Sequence, residues 1–156
     1  MSSPHKTVHN PKGPVIRQRP TASQKRAVVR RAKGVCEYCR CPKRFVPQPF
    51  TVEHIIPISR GGKTILRNLA WACMACNNHK YNKVEAIDPQ TGRKARLFNP
   101  RRHRWPDHFA WAEDAKRIIG LTAIGRATVN ALHLNSEEMI NLRGVLFIQK
   151  LHPPVD

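Results

Sequence analysis

A chain of 156 residues with 28 Lys and Arg against 10 Asp and Glu carries a net charge of +18, a balance that speaks to polyanionic partners rather than to fold. One domain of this length can bury about 68–70% of the surface its unfolded chain exposes, so no second domain is required. No apolar run approaches the ~18 residues that span a bilayer and no apolar signal-peptide core opens the chain, so a cytoplasmic protein with no membrane partner is expected. In that reducing setting the five cysteines read as metal ligands rather than as a disulfide framework.

Residues 1–20 hold Pro4, Pro11, Pro14 and Pro20 among polar and basic side chains and read as a mobile basic arm with too few apolar groups to order alone. From Thr21 the signals change. Thr21 and Gln24 have capping-box spacing, Ala27, Val28, Arg31 and Ala32 continue in helix-compatible residues, and Gly34 sits where a helix stops. A short helix thus delivers the chain to "CEYC", Cys36 and Cys39, and 33 residues separate Cys39 from "CMAC", Cys73 and Cys76. Two such knuckles supply four thiolates, which suits a closed tetrahedral zinc site of the structural kind. Cys41 is the odd cysteine and reads as a bystander.

Between the knuckles, Phe50, Val52, Ile55 and Ile56 mix alternation with a continuous apolar pair, and Pro57 ends the strand they predict. His54 then lies near a strand end, beside Glu53. "SRGGKT" reads as a glycine loop, "RNLAW" as the return strand, and "CMACNNHKYNK" as a helix with its cysteines in the first turn. The expected unit is strand, loop, strand, helix, with zinc clamping its flanks.

Together "CEYC", "EHIIPISRGG" and "RNLAWACMACNNHK" resemble the core of the HNH nuclease family in its four-cysteine zinc-bearing branch, over about residues 30–84. The resemblance implies an α+β fold with a ββα-metal core and metal-dependent cleavage of phosphodiester bonds. It also implies His54 as general base, Asn68 as the residue orienting it, and Glu53 and Asn77 as ligands of a catalytic divalent cation. Glu53 departs from the aspartate more often found there. The chemistry fits these roles: hydrolysis needs a water deprotonated for in-line attack, and an imidazole of ordinary pKa near ~6.5 accepts a proton at neutral pH. Because Glu53 is the one carboxylate near the motif, a single cation, Mg²⁺ or Mn²⁺, is expected rather than two ions bridged by several carboxylates. Lys80, Arg60, Lys63, Arg101, Arg102 and Arg104 are the expected nucleic-acid contacts, and His79 is left open between a metal or phosphate contact and a solvent-facing helix residue.

Beyond residue 84 the reading is of a C-terminal α+β extension, residues 85–156, packing on a core of residues 21–84. "DPQTG" is a turn, and Phe98 and Trp105 are read as core anchors beside solvated arginines. Phe109 and Trp111 alternate and "KRIIGLT" can return, which predicts a hairpin. Thr122 caps a helix bearing Ile124, Ala127 and Ala131, and Asn135 or Ser136 starts another with Met139, Leu142 and Leu146. The extension is similar to the tail on a group of bacterial HNH proteins. The expected whole is a monomeric DNA endonuclease with structural zinc, nicking or cutting both strands with little base readout; charge admits RNA as well. A sequence- or modification-specific homing or restriction enzyme, and a zinc-stabilised nucleic-acid-binding module without catalysis, are the alternatives.

Overall fold

The computed structural model describes residues 19–155, so nearly all of the expected basic arm lies outside the described residues. Helix α1 (Ala22–Arg31) begins with the predicted capping box: the Thr21 hydroxyl accepts from the Gln24 amide, and the Gln24 side chain accepts from the Thr21 amide. Two donors that a helix start leaves orphaned are thereby satisfied. Lys33 and Gly34 then take positive φ values of 51° and 78°, which turns the chain into the first knuckle.

Strand β1 (Phe50–His54) pairs antiparallel with β2 (Leu69–Cys73), Glu53 opposite Ala70 and His54 opposite Leu69. Helix α2 (Met74–Lys80) leaves β2 directly, and its N-cap is a knuckle cysteine: Cys73 Sγ accepts from the Cys76 amide at 3.4 Å. The same thiolate that can bind metal also starts the helix. With α1 packed across both strands, the hairpin and α2 form the expected ββα unit.

The extension opens with a hairpin that the sequence reading lacked. Strands β3 (Glu85–Ile87) and β4 (Lys94–Arg96) pair around the predicted turn, and three-residue strands are too short to show alternation. A short helix α3 (Trp105–His108) leads into the hairpin of β5 (Phe109–Trp111) and β6 (Ile118–Gly120). Helices α4 (Ala123–Ala131) and α5 (Glu137–Ile148) start at Thr122 and Ser136, whose hydroxyls accept from the Gly125 and Met139 amides. The architecture is mixed α and β, with three two-stranded antiparallel sheets among the described residues.

One apolar cluster joins the two parts. The ββα side contributes mostly small or sulfur-bearing groups, among them the five cysteines, Ala70 and Ala72; the extension contributes Leu97, Phe98, Phe109, Ile118, Leu132 and Leu134. Trp105 Nε1 donates to the Tyr38 carbonyl at 3.0 Å, tying α3 to the first knuckle. Phe98 and Trp105 therefore serve packing, as expected of core anchors.

Candidate active site

The four knuckle sulfurs converge. Cys36, Cys39, Cys73 and Cys76 are all buried, and their Sγ atoms lie within 4.8 Å of one another. A tetrahedral zinc with Zn–S near 2.3 Å sets its sulfurs about 3.8 Å apart, and Cys39 Sγ stands 3.7 Å from Cys73 Sγ. The donor set is all sulfur and closed by burial, so it fits a structural zinc and offers no open position for chemistry. Cys41 is buried beside this group but is not part of it.

Strand alternation sends Glu53 and His54 to opposite faces of β1. Glu53 faces inward. Its Oε2 accepts from Lys80 Nζ at 2.9 Å, its Oε1 accepts from the Tyr38 hydroxyl, and Lys80 also donates to the His54 carbonyl at 3.1 Å. Glu53, Lys80 and Tyr38 are 6%, 1% and 0% exposed. A charge can be held at such depth because it is paired and hydrogen-bonded on both oxygens. Lys80, expected at a phosphate, is thus a buried counter-ion, and Glu53, expected at a metal ion, has both oxygens engaged.

His54 sits half-buried at the end of β1, its Nε2 2.9 Å from the Thr64 hydroxyl. Burial pushes the imidazole below the usual histidine range; Glu53 works against that shift and Lys80 adds to it. At pH 7 the ring is therefore neutral, the form that accepts a proton.

The Asn68 side chain makes its hydrogen bonds elsewhere than to His54. Its Oδ1 accepts from the Ile56 amide at 2.9 Å, and its Nδ2 donates to the carbonyls of Ile56 and Lys63, each at 3.0 Å. With the Ile55 amide bonded to the Asn68 carbonyl at 2.9 Å, one buried amide fixes both ends of the loop that follows His54 and carries Thr64. Gly62 lets the loop close this tightly, since a Cβ there would stand 1.7 Å from the Ile56 carbonyl oxygen. Arg31 of α1 braces the same turn from outside, donating to the carbonyls of Leu66 and Leu69.

Asn77 lies half-buried on α2, one helical turn before Lys80. His79 is exposed and its ring stacks 4.3 Å from that of His133. Among the basic residues, Arg60 is exposed with Nε bonded to the Asn82 carbonyl at 2.6 Å, and Lys63 is exposed. Arg101 turns inward to pair with Glu37, whereas Arg104, 81% exposed, lies 4.0 Å from Asp107. Tyr38, Thr64 and Arg31 escaped the sequence reading. Tyr38 alone carried a signal, being a hydroxyl held between two ligand cysteines.

Among the described residues, no second group of three or more His, Cys, Asp or Glu side chains assembles. No helix among the described residues is long and apolar enough to cross a membrane. No curated protein and no solved structure matches the chain. Residues 36–83, however, match the family model described as HNH endonuclease, and the stretch that runs from the first knuckle through α2 is accordingly an HNH domain.

Proposed function

We propose that this protein is a DNA endonuclease that hydrolyses phosphodiester bonds with His54 as general base and a divalent cation, Mg²⁺ or Mn²⁺, as cofactor. The observation that carries the reading is the setting of His54: a half-buried imidazole at a strand end, against Thr64, beside a loop pinned by Asn68. A base must be both within reach of its water and correctly protonated. The pinned loop addresses the first requirement and the lowered proton affinity the second. Asn68 is a positioning residue, acting through the backbone on either side of the histidine.

A bound divalent cation supplies neutralisation of charge at the phosphoryl and leaving oxygens. Asn77 fits as one of its ligands. Glu53 fits poorly, because it is buried and both of its oxygens already accept a hydrogen bond, one of them from the Lys80 ammonium, whose charge opposes a cation there. One buried carboxylate and one amide cannot build a two-ion site, which leaves a single weakly held ion with several waters.

The test is conversion of supercoiled plasmid by zinc-loaded parent and His54→Ala with Mg²⁺, Mn²⁺ or EDTA. Metal-dependent open-circle or linear product from the parent, slowed roughly 10²–10⁴-fold in the variant, is expected. A zinc-loaded parent that retards DNA on a gel but cuts it under no ion would replace catalysis by the binding-module reading. Discrete fragments from unrelated plasmids, in place of a smear, would show a sequence-specific enzyme.

A further inference from the structure

Two cavities of about 360 Å³ each open side by side where the HNH domain meets the extension. The first is lined from the domain by Ile55, Arg60 and Lys83 and from the extension by Arg96, Phe98 and His103. The second is lined by Gly61, Gly62, Lys63, Arg67 and Asn68, the loop that follows His54, together with Arg101. Ile56, Asn99 and Arg102 line both, so the two form one continuous cleft with Arg102 at the junction.

The cleft is cationic almost throughout. Glu85 is its one acidic wall residue, and that carboxylate is bonded to Lys94 at 3.2 Å. No ion pair among the described residues involves Lys63, Arg67, Lys83, Arg96 or Arg102. Four of the remaining acids, Glu113, Asp114, Glu137 and Glu138, sit in the β5–β6 turn and at the start of α5, and none of them lines the cleft. Such segregation leaves a surface whose charge is complementary to a polyanion.

Arg102 is also pre-positioned. The Asn99 side-chain Oδ1 accepts from the Arg101 amide at 2.9 Å, and the Asn99 carbonyl accepts from the amides of Arg102 and His103. His103 Nδ1 accepts from the Asn99 amide at 3.0 Å, which leaves its proton on Nε2 and makes the ring a second donor in the wall. This turn gives successive arginines different pairings: Arg101, lining one cavity, is ion-paired to Glu37, whereas Arg102, with no ion pair among the described residues, lines both. A guanidinium on a closed turn loses less freedom on binding a phosphate than one on a mobile loop.

We infer that this cleft binds the sugar-phosphate backbone of the nucleic acid along the loop that follows His54, with Arg102 and Arg96 of the extension as phosphate ligands. The inference rests on the endonuclease reading and gives the extension a share in substrate binding. A single anion would need two or three donors; unpaired cations spread along two joined cavities match a run of phosphates. Backbone contacts position a substrate without reading its sequence.

The test is fluorescence anisotropy of a labelled duplex with zinc-loaded protein, without Mg²⁺ or Mn²⁺, across a salt series. Arg96→Ala/Arg102→Ala should lower the slope of log affinity against log salt by about two, roughly one for each phosphate no longer neutralised, for duplexes of any sequence. Arg117→Ala, in the β5–β6 turn and lining neither cavity, should keep the parent slope. A parent that cuts plasmid while the double variant binds as Arg117→Ala does would overturn the cleft assignment alone. A parent that neither binds nor cuts would overturn it together with the endonuclease reading.

Discussion

The HNH domain and the extension solve the same problem with different materials. Around the knuckles the buried groups are mostly cysteines and alanines, with Tyr38, Phe50, Ile55 and Leu69 as the larger members; the extension fills its share of the core with Leu97, Phe98, Phe109, Ile118, Leu132 and Leu134. Small side chains remove little apolar area from water, at about 25 cal/mol per Å², so the domain lacks the packing mass that the extension has. Four cysteines placed to hold one metal ion can replace it. The domain also buries a Glu–Lys pair that the extension answers with Asp88 and Arg126, whose guanidinium donates to both carboxylate oxygens at 2.8 Å. The contrast is between two ways of building one cluster: cysteines and small residues crowd one half, and ordinary large apolar side chains fill the other.

Stripping the metal is the sharpest way to break this comparison. Structural zinc contributes apparent binding free energies of about 10–16 kcal/mol in small zinc-stabilised folds, so chelation at pH 7 should abolish hydrogen-exchange protection in β1, β2 and α2 while α4 and α5 keep more of theirs. Protection of the β1–β2 amides that survives removal of the metal would show that packing alone holds the domain. A smaller effect comes from the buried pair. Lys80→Met leaves the Glu53 carboxylate inside with only Tyr38, and removing one partner of a buried pair costs about 3–5 kcal/mol. Chemical denaturation of the zinc-loaded variant should show that loss, and Glu53→Gln/Lys80→Met should regain much of it. A cost for Lys80→Met below ~1 kcal/mol would mean that the pair is solvated in solution and that Glu53 is open to a cation.

The fold of each half was legible to the extent that local chemistry dictates it. Caps at Thr21, Thr122 and Ser136 are written in single hydroxyls at fixed spacing, and all three start helices. The zinc cluster was legible because ligation admits few residue types. What escaped were pairings set by tertiary geometry. Alternation separates Glu53 from His54, but nothing local says which face is buried; Tyr38, 15 residues before, and Lys80, 27 residues after, decide it. Arginines 101, 102 and 104 look alike in sequence, and only the Asn99 turn sorts one to an ion pair with Glu37 and leaves the next lining both cavities. The β3–β4 hairpin was hidden for a similar reason, its strands being held by α4 rather than by their own pattern.

Asp88 offers the mildest test of the comparison, and one with a sign. Its carboxylate accepts from Arg126, from the Gln90 amide at 3.0 Å and from the Thr91 hydroxyl at 2.9 Å. The Arg126 guanidinium is the largest of the influences that hold this carboxyl well below the usual carboxylate range, with the Gln90 and Thr91 bonds adding to it against the opposing effect of burial. A group whose folded pKa is depressed contributes stability that is complete above its unfolded value, about 3.9 for Asp, and is lost as pH falls through that value toward the folded one. Asp88→Asn keeps the shape but places an amide N–H against the guanidinium. Exchange protection of α4 amides should therefore be lower in the variant at pH 7, and the gap between parent and variant should narrow from about pH 5 downward. Comparing the two proteins at each pH cancels the acid lability of the zinc thiolates, which they share. A gap that stays constant from pH 7 to pH 3 would show that Asp88 acts through shape alone, its charge adding nothing to the extension.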